Sequence, residues 1–270
     1  MNAIVLSSAA LLAALAAAQL FLASAFSRRI AARVARIRAG RAASGGADLP
    51  APVRDFALRC GAASGGRAAR FTQAADLRLK PGAPFQAILA TQHVALGEAG
   101  FAWDAVRPIG PLPLFRVIDA YDGTGGLLEA RFLGAVPLAA RSGQDIALGE
   151  ALRYLAELPW APDAILGNPD IGWRMTDATH VEASLPVGNA MARVTFSLDA
   201  QGDFVTVEAK DRPAFDAQGR AVAYDWRGHF RDYRRIGDRR VPERGEVGYV
   251  YPEGYEVYFR GRILSYEVLA

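Results

Sequence analysis

Cysteine occurs once, at Cys60, so neither an intramolecular disulfide nor a cysteine zinc cluster can be built. Its neighbours Arg59 and Gly61 form no nucleophile motif, and a buried thiol is the expectation. The histidines His93, His180 and His229 lie far apart without ligand spacing, so no metal centre is expected. HExxH, GxSxG, a Walker loop and a CxxC pair are all missing, and nothing implies a cofactor. A Ser-His-Asp triad, which assembles only in space, has no positive support here. Lysine is confined to Lys80 and Lys210, so nearly all positive charge is arginine. Only one apolar run is long enough to cross a bilayer, which excludes a multi-span transporter.

What is present is a chain of 270 residues, 51% hydrophobic and 22% charged, with 27 Gly and 15 Pro. That excludes disorder, collagen and a coiled-coil rod. Residues 3–26 carry no charge and, as a helix, reach roughly 36 Å at 1.5 Å per residue. Ser7, Ser8 and Gln19 weaken the run, but its length suits a transmembrane anchor. Ala23-Ser24-Ala25 resembles a signal-peptidase site, yet the region before the run is only Met1-Asn2, without a cation. Net charge is +3, but Arg28, Arg29, Arg33, Arg36, Arg38 and Arg41 supply six cations before the first acid, Asp48. Without those six the remainder is −3, so nucleic acid is not an expected partner. By the positive-inside rule this flank stays in the cytoplasm, which puts the soluble domain on the cytoplasmic side of the inner membrane as a single-pass protein. Ile30, Val34 and Ile37 recur at helical spacing with arginines opposite, a basic amphipathic helix whose Arg28, Arg29, Arg33 and Arg36 suit anionic head groups. Residues 42–47 (AASGGA) read as a flexible linker. The division is therefore 1–27 anchor, 28–47 basic flank and linker, and 48–270 a single β-rich soluble domain.

In that domain a short helix fits residues 53–60. Strands are then predicted over 71–79, 85–96, 101–107, 114–121 and 127–132, with Gly and Pro between them, including 108–113. Residues 122–126 (DGTGG) are a turn, since no helix follows to make a phosphate loop. A helix over 147–158 carries Leu148, Leu152, Leu155 and Leu158 as an apolar stripe. Strands resume at 179–185, 190–198, 204–209, 222–233, 247–251, 255–260 and 263–269. No βαβ alternation appears. The expected fold is mainly β (α+β): a large curved antiparallel sheet or half-barrel with one or two helices on its concave face, plus the transmembrane helix.

Tyr224, Trp226 and Phe230 fall on one face of the 222–233 strand, opposite Asp225, Arg227, His229, Arg231 and Tyr233. With Tyr249, Tyr154 and Trp160 they are the candidate lining of an apolar site, although packing against the 147–158 helix explains the same pattern. Glu150, Arg153, Tyr154 and Glu157 share a helix face. The plain reading is an Arg153–Glu157 ion pair; the sharper one makes Glu157 and Arg153 a hydrolytic centre with His229 or Asp232.

Several blocks together resemble a bacterial membrane-anchored family of unknown function: residues 153–157 (RYLAE) with Trp160 and Pro162, Trp173 before Asp177, 226–233 (WRGHFRDY), and 239–247 (RRVPERGEV). Residues 49–54 (LPAPVR), Thr91-Gln92 and 100–103 (GFAW) match its earlier blocks, and Gly248-Tyr249 depart from it where the family carries Trp. The resemblance implies an N-terminal membrane segment and no reaction. The strand layout also looks like the half-barrel of lipoprotein carriers, periplasmic proteins that shelter acyl chains. Three functions remain open: an apolar-ligand binder, an interaction or structural protein without a small-molecule site, and a membrane-proximal hydrolase.

Overall fold

A computed structural model describes residues 2–45, 48–110, 112–216 and 220–270. Its first element is one unbroken helix, α1 (Asn2–Arg38), about 55 Å long at 1.5 Å per residue. The anchor and the basic flank are thus a single rod. After α2 (Ala51–Arg59), six strands follow as a meander: β1 (Ala68–Leu77), β2 (Gln86–Ala95), β3 (Phe101–Ile109), β4 (Leu112–Tyr121), β5 (Gly126–Phe132) and β6 (Val136–Ser142). Helix α3 (Gln144–Ala156), a single 3-10 turn (Leu158–Trp160) and α4 (Pro162–Gly167) interrupt. The strands resume with β7 (Gly172–Met175), β8 (His180–Val187), β9 (Ala190–Leu198), β10 (Phe204–Phe215), β11 (Ala221–Ile236), β12 (Arg239–Tyr251) and β13 (Gly254–Leu269).

All thirteen strands form one antiparallel sheet in the order β6-β5-β4-β3-β2-β1-β13-β12-β11-β10-β9-β8-β7. Joining β1 to β13 splices the two meanders into a continuous sheet. Helix α3 touches β4, β5 and β6 near one edge and β8, β9 and β10 near the other. One helix can meet both only if the sheet curls around it, so the architecture is a half-barrel, mainly β, with α3 in its hollow.

Alternation along the strands feeds two cores. Ala69, Phe71, Val94, Phe101 and Trp103 face inward, where α2, α3 and α4 pack. Their neighbours Ala68, Ala95 and Ala102, with Ile118 and Ala120, face outward and receive Phe26, Ile30 and Ile37 of α1. The basic half of α1 therefore lays its apolar stripe on the convex face of the sheet, and small outward alanines allow the close approach. The stretch after it is also held: Ala43 is buried, Ala43 N donates to Gly66 O at 2.7 Å and Ser44 N to Gly167 O at 3.1 Å. This replaces the flexible linker expected for 42–45; Gly46 and Ala47 lie outside the described residues.

Two further differences have local causes. Strand β6 is exposed on both faces, so it has no alternation to betray it. In β11, Asp232 sits at φ 61° and is left unpaired with β12, while the register holds on either side, Arg231 opposing Arg244 and Tyr233 opposing Pro242. This left-handed residue interrupts the alternation, and Tyr233 packs inward against Phe56, reversing the face predicted for it.

Candidate functional site

Among the described residues, side chains do not fill the hollow. A cavity of about 550 Å³ remains between α3 and the inner face, walled by residues such as Trp103, Val117, Trp226, Phe230, Val247 and Tyr258. The Leu stripe of α3 faces away from it: Leu152 and Leu155 are buried in the main core, while Gly149, Glu150, Arg153 and Ala156 line the cavity. A helix with one apolar and one mixed face thus closes the half-barrel with the mixed face toward the cavity.

The polar groups of that wall form a connected network. Arg153 Nε donates to Glu157 Oε1 at 2.9 Å and Nη1 to Asp119 Oδ2, while Gln92 Nε2 donates to Glu157 Oε2. The guanidinium also lies 4.8 Å from the Phe101 ring centre and 4.9 Å from that of Trp103. Burial opposes the Arg153 cation, but the Glu157 and Asp119 charges outweigh it and keep it protonated. Glu150 is 5% exposed. Burial first, then the Asp119 charge, pushes its carboxyl well above the usual range. As two carboxylates, Glu150 Oε2 and Asp119 Oδ1 would both lack a partner among the described residues. A proton on Glu150, donated to Asp119, satisfies both.

Across the cavity Arg212 of β10 is 8% exposed. Its Nη2 donates to Gly149 O at 3.2 Å and Nη1 to the Tyr249 hydroxyl, and the guanidinium lies 5.0 Å from the Trp226 ring centre. Its Nε is buried and has no acceptor among the described residues. Trp226 Nε1 donates to the Tyr258 hydroxyl at 3.1 Å.

Of the residues singled out from sequence, Arg153, Glu157, Trp160, Trp226, Phe230 and Tyr249 line this cavity. Tyr154 and Tyr224 do not. The Tyr154 hydroxyl donates to Glu98 O at 3.1 Å and accepts from Asn168 Nδ2 at 2.9 Å, locking α3 to its surroundings. Tyr224 packs its ring on Tyr249 and Tyr251. The proposed hydrolytic group does not assemble: His229 packs on Tyr255, and Asp232 is an exposed residue bridged to Arg244 at 3.3 Å. Among the described residues no group of His, Cys, Asp or Glu could hold a metal ion. Cys60 is buried, and that burial raises its thiol to about 11, so it is inert.

Sequence reasoning missed Asp119, Arg212 and Gln92 as members of the site. A lone carboxylate between Ile118 and Ala120 is the one usable signal. Arg212 is hidden by the irregular pairing between Ala209 and Arg212.

The family-like blocks interlock with one another and mainly hold the fold. Trp160 Nε1 donates to Pro242 O at 2.8 Å, and a Cβ on Gly245 would stand 2.6 Å from the Trp160 ring, so only glycine admits the indole there. Asp163, fully buried, takes Arg239 Nη2 at 2.7 Å and Nε at 2.9 Å.

The architecture is similar to that of three solved structures. One is a LolA superfamily protein from Nitrosomonas europaea, at 10% identity and TM-score 0.42 over 81% of this chain and 92% of that one. Another is a putative outer membrane lipoprotein-sorting protein domain from Vibrio parahaemolyticus, at 10% identity and TM-score 0.45 over 80% and 90%. A DUF1329 family protein from Desulfovibrio piger aligns at 9% identity and TM-score 0.44 over 80% and 91%. No curated protein matches. Residues 42–261, which span the interlocking blocks and every wall of the cavity, match a family of unknown function, and the chain belongs to it: DUF6544.

Proposed function

We propose that this is a single-pass membrane protein whose half-barrel holds a lipid or another apolar molecule between α3 and the sheet. The observation that carries the reading is the unfilled hollow. Its volume, about 550 Å³, lies within the ~300–1,000 Å³ of small-molecule sites, and its walls combine aromatic surface with a few buried polar groups. A protein whose sheet served only as a scaffold would gain by filling that space with side chains. This favours a small-molecule site over a purely structural role. The hydrolase reading has less support, because Arg153 and Glu157 line the cavity from α3 and its C-terminal cap while His229 and Asp232, on β11, do not reach it.

The anchor is α1, whose apolar stretch is almost entirely exposed, with Leu11, Leu12, Leu15 and Leu20 each more than half accessible. An apolar helix so exposed needs lipid around it. Among the described residues Arg28 and Arg33 form no ion pair with the domain's carboxylates, and they are the better candidates for head groups. Arg29 and Arg36 already pair with Glu129 at 2.9 Å and Asp122 at 3.1 Å. By the positive-inside rule the cationic flank supports a domain on the cytoplasmic side of the inner membrane, and a C-terminal phosphatase fusion reports that side directly. The binding reading is tested on the full chain purified in mild detergent, by mass spectrometry of extracted lipid. A stoichiometric apolar species that a fluorescent fatty acid displaces is the expected result. The absence of both co-purified lipid and fatty-acid binding would count decisively against it.

A further inference from the structure

Helix α1 leaves the domain beside the turn between β5 and β6. Gln19 Nε2 donates to Leu133 O at 2.9 Å, and a Cβ on Gly134 would stand 3.6 Å from the Ala23 Cβ. The hydrocarbon core of a bilayer is about 30 Å thick, roughly 20 helical residues at 1.5 Å each. The uncharged run 3–26 continues through residues 19–22, of which Leu20 and Phe21 are 71% and 66% exposed, so a span on this run includes them. Those residues stand level with the β5–β6 turn, so the turn is carried to the hydrocarbon boundary with them.

The turn is built for that depth. Phe132, Val136 and Leu138 around it are exposed, as are Ile109 and Leu112 on the next hairpin, β3–β4. The two hairpins are joined by Leu133 N donating to Leu114 O at 3.1 Å. No Asp or Glu occurs in residues 105–118 or 130–144, whereas Arg107 and Arg141 flank the apolar tips. Apolar tips bordered by arginines suit the boundary between acyl chains and head groups. Left in water, the same tips would form an exposed apolar sheet rim, a known aggregation hazard.

We propose that the β3–β4 and β5–β6 turns are seated in the bilayer together with α1, so that the half-barrel rests rim-down on the membrane instead of hanging from a tether. This rests on reading α1 as a membrane span. The next turn along the same rim, between β1 and β2, carries Leu79, which is exposed and also lines the cavity. The seating therefore brings a cavity wall to the lipid surface.

The test places an environment-sensitive fluorophore on single cysteines of the full chain in a Cys60→Ala background, reconstituted in phosphatidylcholine–phosphatidylglycerol vesicles. Brominated acyl chains then report depth. Leu112→Cys and Leu138→Cys probe the two turns, with Ile109→Cys and Val136→Cys repeating the measurement should either first variant fold poorly. Leu58→Cys and Leu264→Cys are controls, since both leucines are similarly exposed but off this rim. Leu12→Cys probes the span itself. The expected result is at least two-fold more quenching at the turns than at the controls, approaching that at position 12. Quenching at position 12 with turns no different from controls overturns the seating and leaves the span reading intact. No quenching at position 12 overturns both.

Discussion

Glu150 is a carboxyl that the fold keeps protonated, held between Asp119 and two arginines on the wall of an apolar cavity. Because its folded value is raised, its contribution to stability is complete below the unfolded value near 4.5 and is lost as pH climbs through the raised one. Glu150→Gln keeps a donor for Asp119 and removes the titration. It should cost about 1 kcal/mol or less at pH 5. Between pH 5 and pH 9 the wild type should lose melting temperature faster than the variant, a comparison that thermal unfolding makes directly. A gap that stays constant with pH would mean that Glu150 does not hold the proton. The sequence exposes half of this cluster. Glu150, Arg153 and Glu157 share a helix face at a spacing that can be read directly, but Asp119 and Arg212 join from strands on opposite arms of the sheet. No local pattern links two such strands, and the irregular pairing before Arg212 shifts its face besides.

Docking of α1 on the convex face shows what decides an element's role. An apolar stripe of Ile30, Val34 and Ile37 looks the same whether it meets lipid or protein. The deciding feature, a bed of alanines at 68, 95, 102 and 120, is scattered over several strands. Strand β6 was illegible for the opposite reason, having no buried face. The stripe of α3, whose partner is the main core, was legible at once. On the same convex face, beside Arg38 of α1 and Arg70 of β1, lies His93, with its Nδ1 buried and unpartnered among the described residues. Burial, then Arg70 and Arg38, lowers it to about 4, against the opposing pull of Glu267 on β13 and Asp104 on β3. Its folded value is depressed, so the stability it contributes is present above the unfolded value of 6.5 and is lost as pH falls through about 4. At 1.36 kcal/mol per unit the full effect is roughly 3 kcal/mol. His93→Gln should flatten the acid side of the stability curve between pH 6.5 and 4. Limited proteolysis after α1 should show the wild type opening there on acidification. Equal acid sensitivity in both proteins would place the weak point elsewhere.

At the scale of the whole molecule the half-barrel is a shell completed by α3, and the space between them is a thermodynamic handle. Ligand that binds only the folded state adds about 2.7 kcal/mol at a hundred-fold excess over Kd. With roughly 2–4 °C per kcal/mol for a domain of this size, delipidated full-length protein should melt about 5–10 °C higher when saturated with a fatty acid. Ala130 of β5 lines the cavity and is only partly buried, so Ala130→Phe introduces a ring into the space a ligand would take. The variant should melt at or above the delipidated wild type, because apolar contact replaces empty volume. It should also lose most of the response to fatty acid. A side chain that merely overpacked the wall would instead lower the melting temperature in both states and leave the ligand-dependent difference unchanged. The size of that difference, more than either melting temperature alone, reports whether the hollow is a binding site.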